Sequence, residues 1–166
     1  AIDTANVLRH LHNVQGYSTA TTVLMGGSAG GLTALNTAIS DASLCAGVVV
    51  KYPVVDLVAM LQSDDPFEGH YMPALIGSVT NASERSPHNN AAALRGTPLL
   101  VFHGEQDHSV PLFHSELLRD AVEATGGKIQ LEVFEGEGHG FRNPVNIARE
   151  FAVTEEFLYS LMKNAR

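Results

Sequence analysis

The sequence has one cysteine, Cys45, so no disulfide can form within the chain. Cys45 follows Leu44 and leads into an apolar run, which predicts a buried, inert thiol. Basic residues are also scarce. Ten Lys and Arg stand against eighteen Asp and Glu, for a formal charge of −8, and nowhere do the cations form a block. A phosphate backbone is held by clustered Lys and Arg, so no nucleic-acid partner is expected. No apolar run reaches the ~18 residues of a membrane span, and no membrane partner is expected either. No H-x-x-x-H pattern and no Cys/His cluster offers a metal site, so neither a metal nor an organic cofactor is expected. Internal repeats and low-complexity tracts are absent. The chain starts at Ala1, without an initiator Met, and enters a helical pattern at once; no signal peptide is visible, and none could be if the true start has been removed. The compartment stays open, with the cytoplasm favoured over secretion, and so does the oligomeric state.

What is present is 45% hydrophobic content in 166 residues, enough for one globular domain with a core. A helix is predicted over residues 3–13, with Asp3 as its cap. Residues 21–25, 46–50, 98–103 and 129–134 read as strands. The run Ala46-Gly-Val-Val-Val50 is unbroken, as expected of a strand covered on both faces. Helices are predicted between and after them. One shows Leu32, Leu35 and Ile39. The next, over 113–124, shows Phe113, Leu117, Ala121 and Ala124. The last, over 145–162, turns Ile147, Phe151, Leu158 and Leu161 inward. Strands alternating with helices imply an α/β fold, a parallel sheet with helices on both faces. Residues 53–97 hold four of the seven prolines and read as irregular, with one short helix near 71–76. An insertion this long is usually a lid or binding loop. Nothing divides residues 1–166 into two domains.

The chemistry centres on Gly26-Gly27-Ser28-Ala29-Gly30-Gly31, a G-x-S-x-G placed between a strand and a helix. In such a nucleophile elbow the serine occupies a strained turn, and its neighbours two positions away must be small. Gly26 and Gly30 are expected to let strand and helix pass closely. The turn would lift the Ser28 hydroxyl off the sheet and aim the Ala29 N–H at a developing oxyanion. A phosphate-cradling loop is the competing interpretation. The dinucleotide pattern G-x-G-x-x-G fails here because Ser28 takes the middle glycine's place, and the next strand end offers Lys51 where an acid belongs. A serine needs a base, and the base an orienting acid. The third strand runs into His103-Gly-Glu-Gln-Asp107, and the fourth into Glu135-Gly-Glu-Gly-His139-Gly-Phe141. Ser28, Asp107 and His139 therefore follow three strand ends in the order of an α/β-hydrolase triad. Glu105 is the rival acid. His70 and His88, in the insertion, are candidate substrate contacts. His103 is expected to be packed locally, and Glu135 and Glu137 to be solvated.

These stretches resemble the catalytic domain of prolyl oligopeptidase-family serine peptidases, in the dipeptidyl aminopeptidase/acylaminoacyl-peptidase branch. The likeness rests on GGSAGG, on HGEQD followed by Ser109-Val110-Pro111, and on FEGEGHGFR. RSPHNNAAAL and the segments 67–71 and 75–77 extend it across essentially the whole chain. The resemblance implies Ser28, Asp107 and His139 as the triad and the Ala29 N–H as one oxyanion donor. It also implies that Val110, and with them Tyr52 and Pro53, border an apolar pocket for a substrate side chain. Family members carry a β-propeller ahead of this domain, and neither its repeats nor the strands expected before residue 21 are visible. The chain is therefore expected to be the C-terminal part of a larger α/β-hydrolase, with a second oxyanion donor in the missing N-terminal part. The function implied is peptidase action on short peptides or acyl-peptides through an acyl-enzyme. A carboxylesterase or dienelactone-hydrolase-like enzyme is the alternative, since the same triad serves esters. A non-catalytic binding domain is the third possibility.

Overall fold

A computed structural model describes residues 1–62 and 72–164. Four parallel strands lie in chain order: β1 (Val23–Gly27), β2 (Gly47–Lys51), β3 (Leu99–Gly104) and β4 (Ile129–Phe134). Side chains alternate across this sheet. Val48, Val50, Leu99 and Val101 face one side. There they meet Ala5 and Leu8 of α1 (Ile2–Asn13), Ala34, Leu35 and Ala38 of α2 (Ala29–Ser40), and Leu118 and Val122 of a later helix, Phe113–Ala124. Val49, Leu100 and Phe102 face the other side, against Phe134 and against Val153 and Phe157 of the closing helix, Pro144–Asn164. Both faces of β2 and β3 are therefore covered, which is why those strands are apolar throughout.

Residues 53–97 are less irregular than the sequence suggests. They contain α3 (Leu57–Leu61), α4 (Met72–Ile76), α5 (Val79–Arg85) and a 3₁₀ segment over Pro87–Leu94. Side-chain caps start two of these helices. Asp56 accepts the N–H groups of Val58 and Ala59, and Ser78 accepts that of Asn81. Leu57, Met60, Ile76 and Ala82 bury themselves with Val54 and Val110 in a separate small core. Of the segment 67–71 and of His70, expected to bear on substrate, nothing can be placed, since they lie outside the described residues.

Several local expectations are corrected. Asp3 caps nothing; the helix begins at Ile2, with Ala1 as its N-cap. The first strand starts at Val23 rather than residue 21, because the hydroxyls of Thr21 and Thr22 turn back to the Ser18 carbonyl and close a 3₁₀ turn. In α6 (Phe113–Ala124) the inward residues are His114, Ser115, Leu118 and Val122, while Phe113 is exposed. In α7 (Pro144–Asn164) Phe151 is exposed and Val153 points inward, while Leu161 is buried as expected. The phase shifts because Glu150 takes an inward position, where it meets Lys51 of β2 at 3.0 Å.

His114 is 1% exposed, and its Nδ1 accepts the N–H groups of Val55 and Asp56, each at 3.2 Å. Burial drives its pKa down to about 4. The unfolded chain, with an ordinary histidine value near ~6.5, takes up the proton first as pH falls. Stability from the neutral ring is complete above about pH 6.5 and is lost as pH falls toward about 4, a loss on the order of 3 kcal/mol. Urea denaturation at pH 7.5 and pH 4.5 should show this loss in the wild type. His114→Gln keeps an acceptor without titrating and should flatten the difference; an equal loss in both proteins would exclude His114 as its source.

Candidate active site

The reversal at the first strand end falls on one residue. β1 runs through Gly26 and Gly27, and α2 starts at Ala29, so Ser28 alone makes the turn. Its φ is 54° and ψ −124°, backbone that non-glycine residues rarely hold and that surrounding structure must enforce. The Ser28 N–H donates to the Lys51 carbonyl at 2.9 Å, and its own carbonyl accepts from Gly31 and Leu32. A Cβ at Gly26 would run into the Gly30 carbonyl, and one at Gly31 would lie 2.9 Å from the Pro53 Cβ. A Cβ at Gly30 would meet nothing. The glycines that the packing requires are thus Gly26 and Gly31, which corrects the expectation for Gly30.

β3 delivers Asp107 in the turn after Gly104. The residue is 4% exposed. Its Oδ1 accepts the N–H groups of Ser109 (3.0 Å) and Val110 (2.9 Å), and its Oδ2 lies 2.8 Å from His139 Nδ1. A carboxylate only accepts, so Nδ1 carries the ring proton and Nε2 is left bare. That Nε2 lies 3.0 Å from Ser28 Oγ and accepts its O–H. The three side chains therefore form one hydrogen-bonded line, with the basic nitrogen facing the hydroxyl. Such a line can take the serine proton as the oxygen attacks an acyl carbon.

His103 braces the acid from below. It is fully buried; its Nε2 donates to the Val110 carbonyl (2.8 Å) and its Nδ1 accepts from Ser115 Oγ (2.6 Å). Burial lowers its pKa, so the neutral ring sits 3.7 Å from Asp107 Oδ2 without forming an ion pair. Polar residues on an apolar helix face, His114 and Ser115, were the signal that apolar periodicity overlooked. Glu137 also departs from expectation. It is buried, and its carboxylate accepts from Arg142 and Asn143 N–H groups and from the Asn146 side chain.

Tyr52 follows β2 with φ 37°, and its ring centroid stands 4.6 Å from that of His139. Pro53 is buried against Gly31. Val110, expected beside a substrate pocket, is fully buried in the insertion's core, so what it brings to the site is its backbone. Ala29 is the first residue of α2, a position whose N–H has no intrahelical acceptor. A cleft of about 670 Å³ opens beside His139, between the loops bearing Gln106 and Asn143. Glu105 is exposed and among the described residues reaches only the Gly136 N–H, and His88 is occupied by the Val55 carbonyl. Among the described residues no group of three His, Cys, Asp or Glu is placed to hold a metal ion.

A parallel sheet that carries a strained serine after β1, an acid after β3 and a histidine after β4 defines an α/β-hydrolase. The prolyl oligopeptidase family profile matches residues 1–165, and the chain belongs to that family. It is 33% identical to dipeptidyl aminopeptidase BIII of Pseudoxanthomonas mexicana, over 87% of this chain and 22% of that protein. The crystal structure of a puromycin hydrolase superposes with a TM-score of 0.89 at 30% identity, over 97% of this chain and 25% of that one. A shorter likeness, 38% identity over 42 residues, covers 25% of this chain and 10% of the isoprenylcysteine alpha-carbonyl methylesterase ICME of Arabidopsis thaliana. The chain thus spans about a quarter or less of the length of these relatives.

The two flanking glycines should respond differently to substitution. Gly30→Ala should fold with an unchanged or slightly raised Tm, since alanine favours a helix by up to ~1 kcal/mol over glycine. Gly26→Ala should lose several degrees of Tm, because its Cβ must displace backbone. Thermal melts of both variants decide this; equal losses would contradict the packing described.

Proposed function

We propose that the protein is a serine peptidase that cleaves short peptides or acyl-peptides by acyl transfer. The observation carrying this reading is the hydrogen-bonded line from Ser28 through His139 to Asp107, with Ser28 held in strained backbone at a helix start. Ser28 Oγ attacks the scissile carbonyl while His139 Nε2 takes its proton. The carbonyl oxygen becomes an oxyanion, and the Ala29 N–H donates to it. Asp107 keeps the proton of His139 on Nδ1 and stabilises the imidazolium. As the tetrahedral adduct collapses, His139 passes the proton to the leaving amine, and the C–N bond breaks. Water then attacks the acyl-enzyme with His139 as base, releasing the acid and restoring Ser28. Tyr52 and Pro53 are assigned to the border of the pocket for the residue before the scissile bond, where an apolar wall suits an uncharged side chain. The substrates of the whole protein belong to this proposal, as the chain spans only part of its relatives.

An esterase reading uses the same groups, and the 42-residue likeness to a methylesterase favours it. Anilide substrates separate the two. The full-length protein should hydrolyse dipeptidyl or N-acyl-aminoacyl anilides with an apolar residue before the bond; turnover of short esters alone would overturn the peptidase reading.

A fluorophosphonate probe should attach to Ser28, located by mass spectrometry of the adduct. Ser28→Ala should take no label there. Asp107→Asn should slow acylation by about 10²- to 10⁴-fold, since an amide can present a donor to Nδ1 and select the wrong tautomer. Label on a different serine, or Asp107→Asn at wild-type rate, would sink the assignment, and no label at all would leave a binding domain.

A further inference from the structure

Glu137 is a carboxylate for which the proposed chemistry has no use. Burying such a group is costly unless it is fully paired. It is 4% exposed, and three donors converge on it. Its Oε2 accepts the Arg142 N–H at 2.8 Å; its Oε1 accepts the Asn143 N–H at 2.8 Å and the Asn146 side-chain amide at 3.0 Å. These bonds, that from Asn146 above all, hold its pKa below the ordinary carboxylate range. Its backbone faces the other way. The Glu137 carbonyl accepts the Gln106 N–H at 2.8 Å, one residue before Asp107, and leaves no room for a Cβ at Gly104. One residue thus ties the start of α7 to the loop of the acid.

Between Glu137 and its partners run Gly138, His139, Gly140 and Phe141. Glycines flank the histidine on both sides, and Gly140 has φ 104°, so this loop has little stiffness of its own. We propose that Glu137 is a positioning residue: by clamping the loop shut on both sides, it sets the His139 ring between Asp107 and Ser28. This rests on the triad assignment above. The clamp requires an ionised carboxylate, because every group that converges on it is a donor. A glutamine would turn an NH₂ toward at least one of those N–H groups and leave it unpaired.

The test is the first-order rate of Ser28 modification by a fluorophosphonate in the full-length protein. Measured well below each variant's Tm, where essentially all of the protein is folded, that rate does not respond to lost stability alone. Glu137→Ala should still label to completion at Ser28, but about 10- to 100-fold more slowly, as expected for a catalytic group displaced by about an ångström. With an anilide substrate kcat should fall by a similar factor while KM stays within about twofold, as expected of a carboxylate already taken up by Arg142, Asn143 and Asn146. Glu137→Gln should lie closer to Glu137→Ala than to the wild type. Asn146→Ala, which removes one donor of three, should slow labelling by about 3- to 10-fold and remains informative if Glu137→Ala does not fold. Variants that melt lower yet label at the wild-type rate would make Glu137 a structural residue only and overturn its positioning role. A wild type that takes no label at Ser28 would overturn the triad assignment itself and this role with it.

Discussion

The in-register parallel ladder is the constraint on which everything else depends. Gly27 pairs with Lys51, Lys51 with Phe102, and Gly104 with Phe134. No strand slips, so the residues that follow the strands emerge along one edge of the sheet. Ser28, Asp107 and His139 are 79 and 32 positions apart in the chain, and only this register brings them within hydrogen-bond reach. A slip of one residue would also reverse the faces of β2 and β3 and put each side chain into the wrong packing layer. The packing that stabilises the sheet is therefore the same packing that aligns the site.

Below that edge lies a second layer of polar side chains, each held by hydrogen bonds. His103 is held by Ser115 and the Val110 carbonyl, His114 by the backbone of Val55 and Asp56, and Glu137 by the start of α7. Among the described residues no buried side-chain nitrogen or oxygen lacks a partner. A buried polar network in which every member is satisfied fixes one arrangement, because each alternative leaves a donor or acceptor bare. These hydrogen bonds act beside the apolar contacts between the loops after β2, β3 and β4, where Val54 packs with Val110 and Tyr52 with Phe141.

The strands, their order of alternation with helices and the positions of Ser28, Asp107 and His139 were legible in the sequence, since apolar runs and glycine-flanked motifs mark strand ends. Helix phase was less so. In α6 the inward positions His114 and Ser115 are polar, and in α7 the inward position Glu150 is charged. A reading that seeks apolar faces passes over them and settles on Phe113 and Phe151, which are exposed. The same blindness left Glu137 looking like a solvated acid. Of the insertion's helices the one near 71–76 was legible, whereas α3 and α5, capped by Asp56 and Ser78, carry too few turns for periodicity to register.

Cys45 lies just ahead of β2 in the core beneath α1 and α2, and burial pushes its thiol up to about 11. Only the thiolate reacts with alkylating reagents, and at neutral pH almost none of it is present. The native fold thus behaves toward such reagents as a cysteine-free protein. Cysteines placed in pairs, one on the outer surface of α7 and one on the loop of His139, can then carry two labels whose separation is measurable without modifying Cys45.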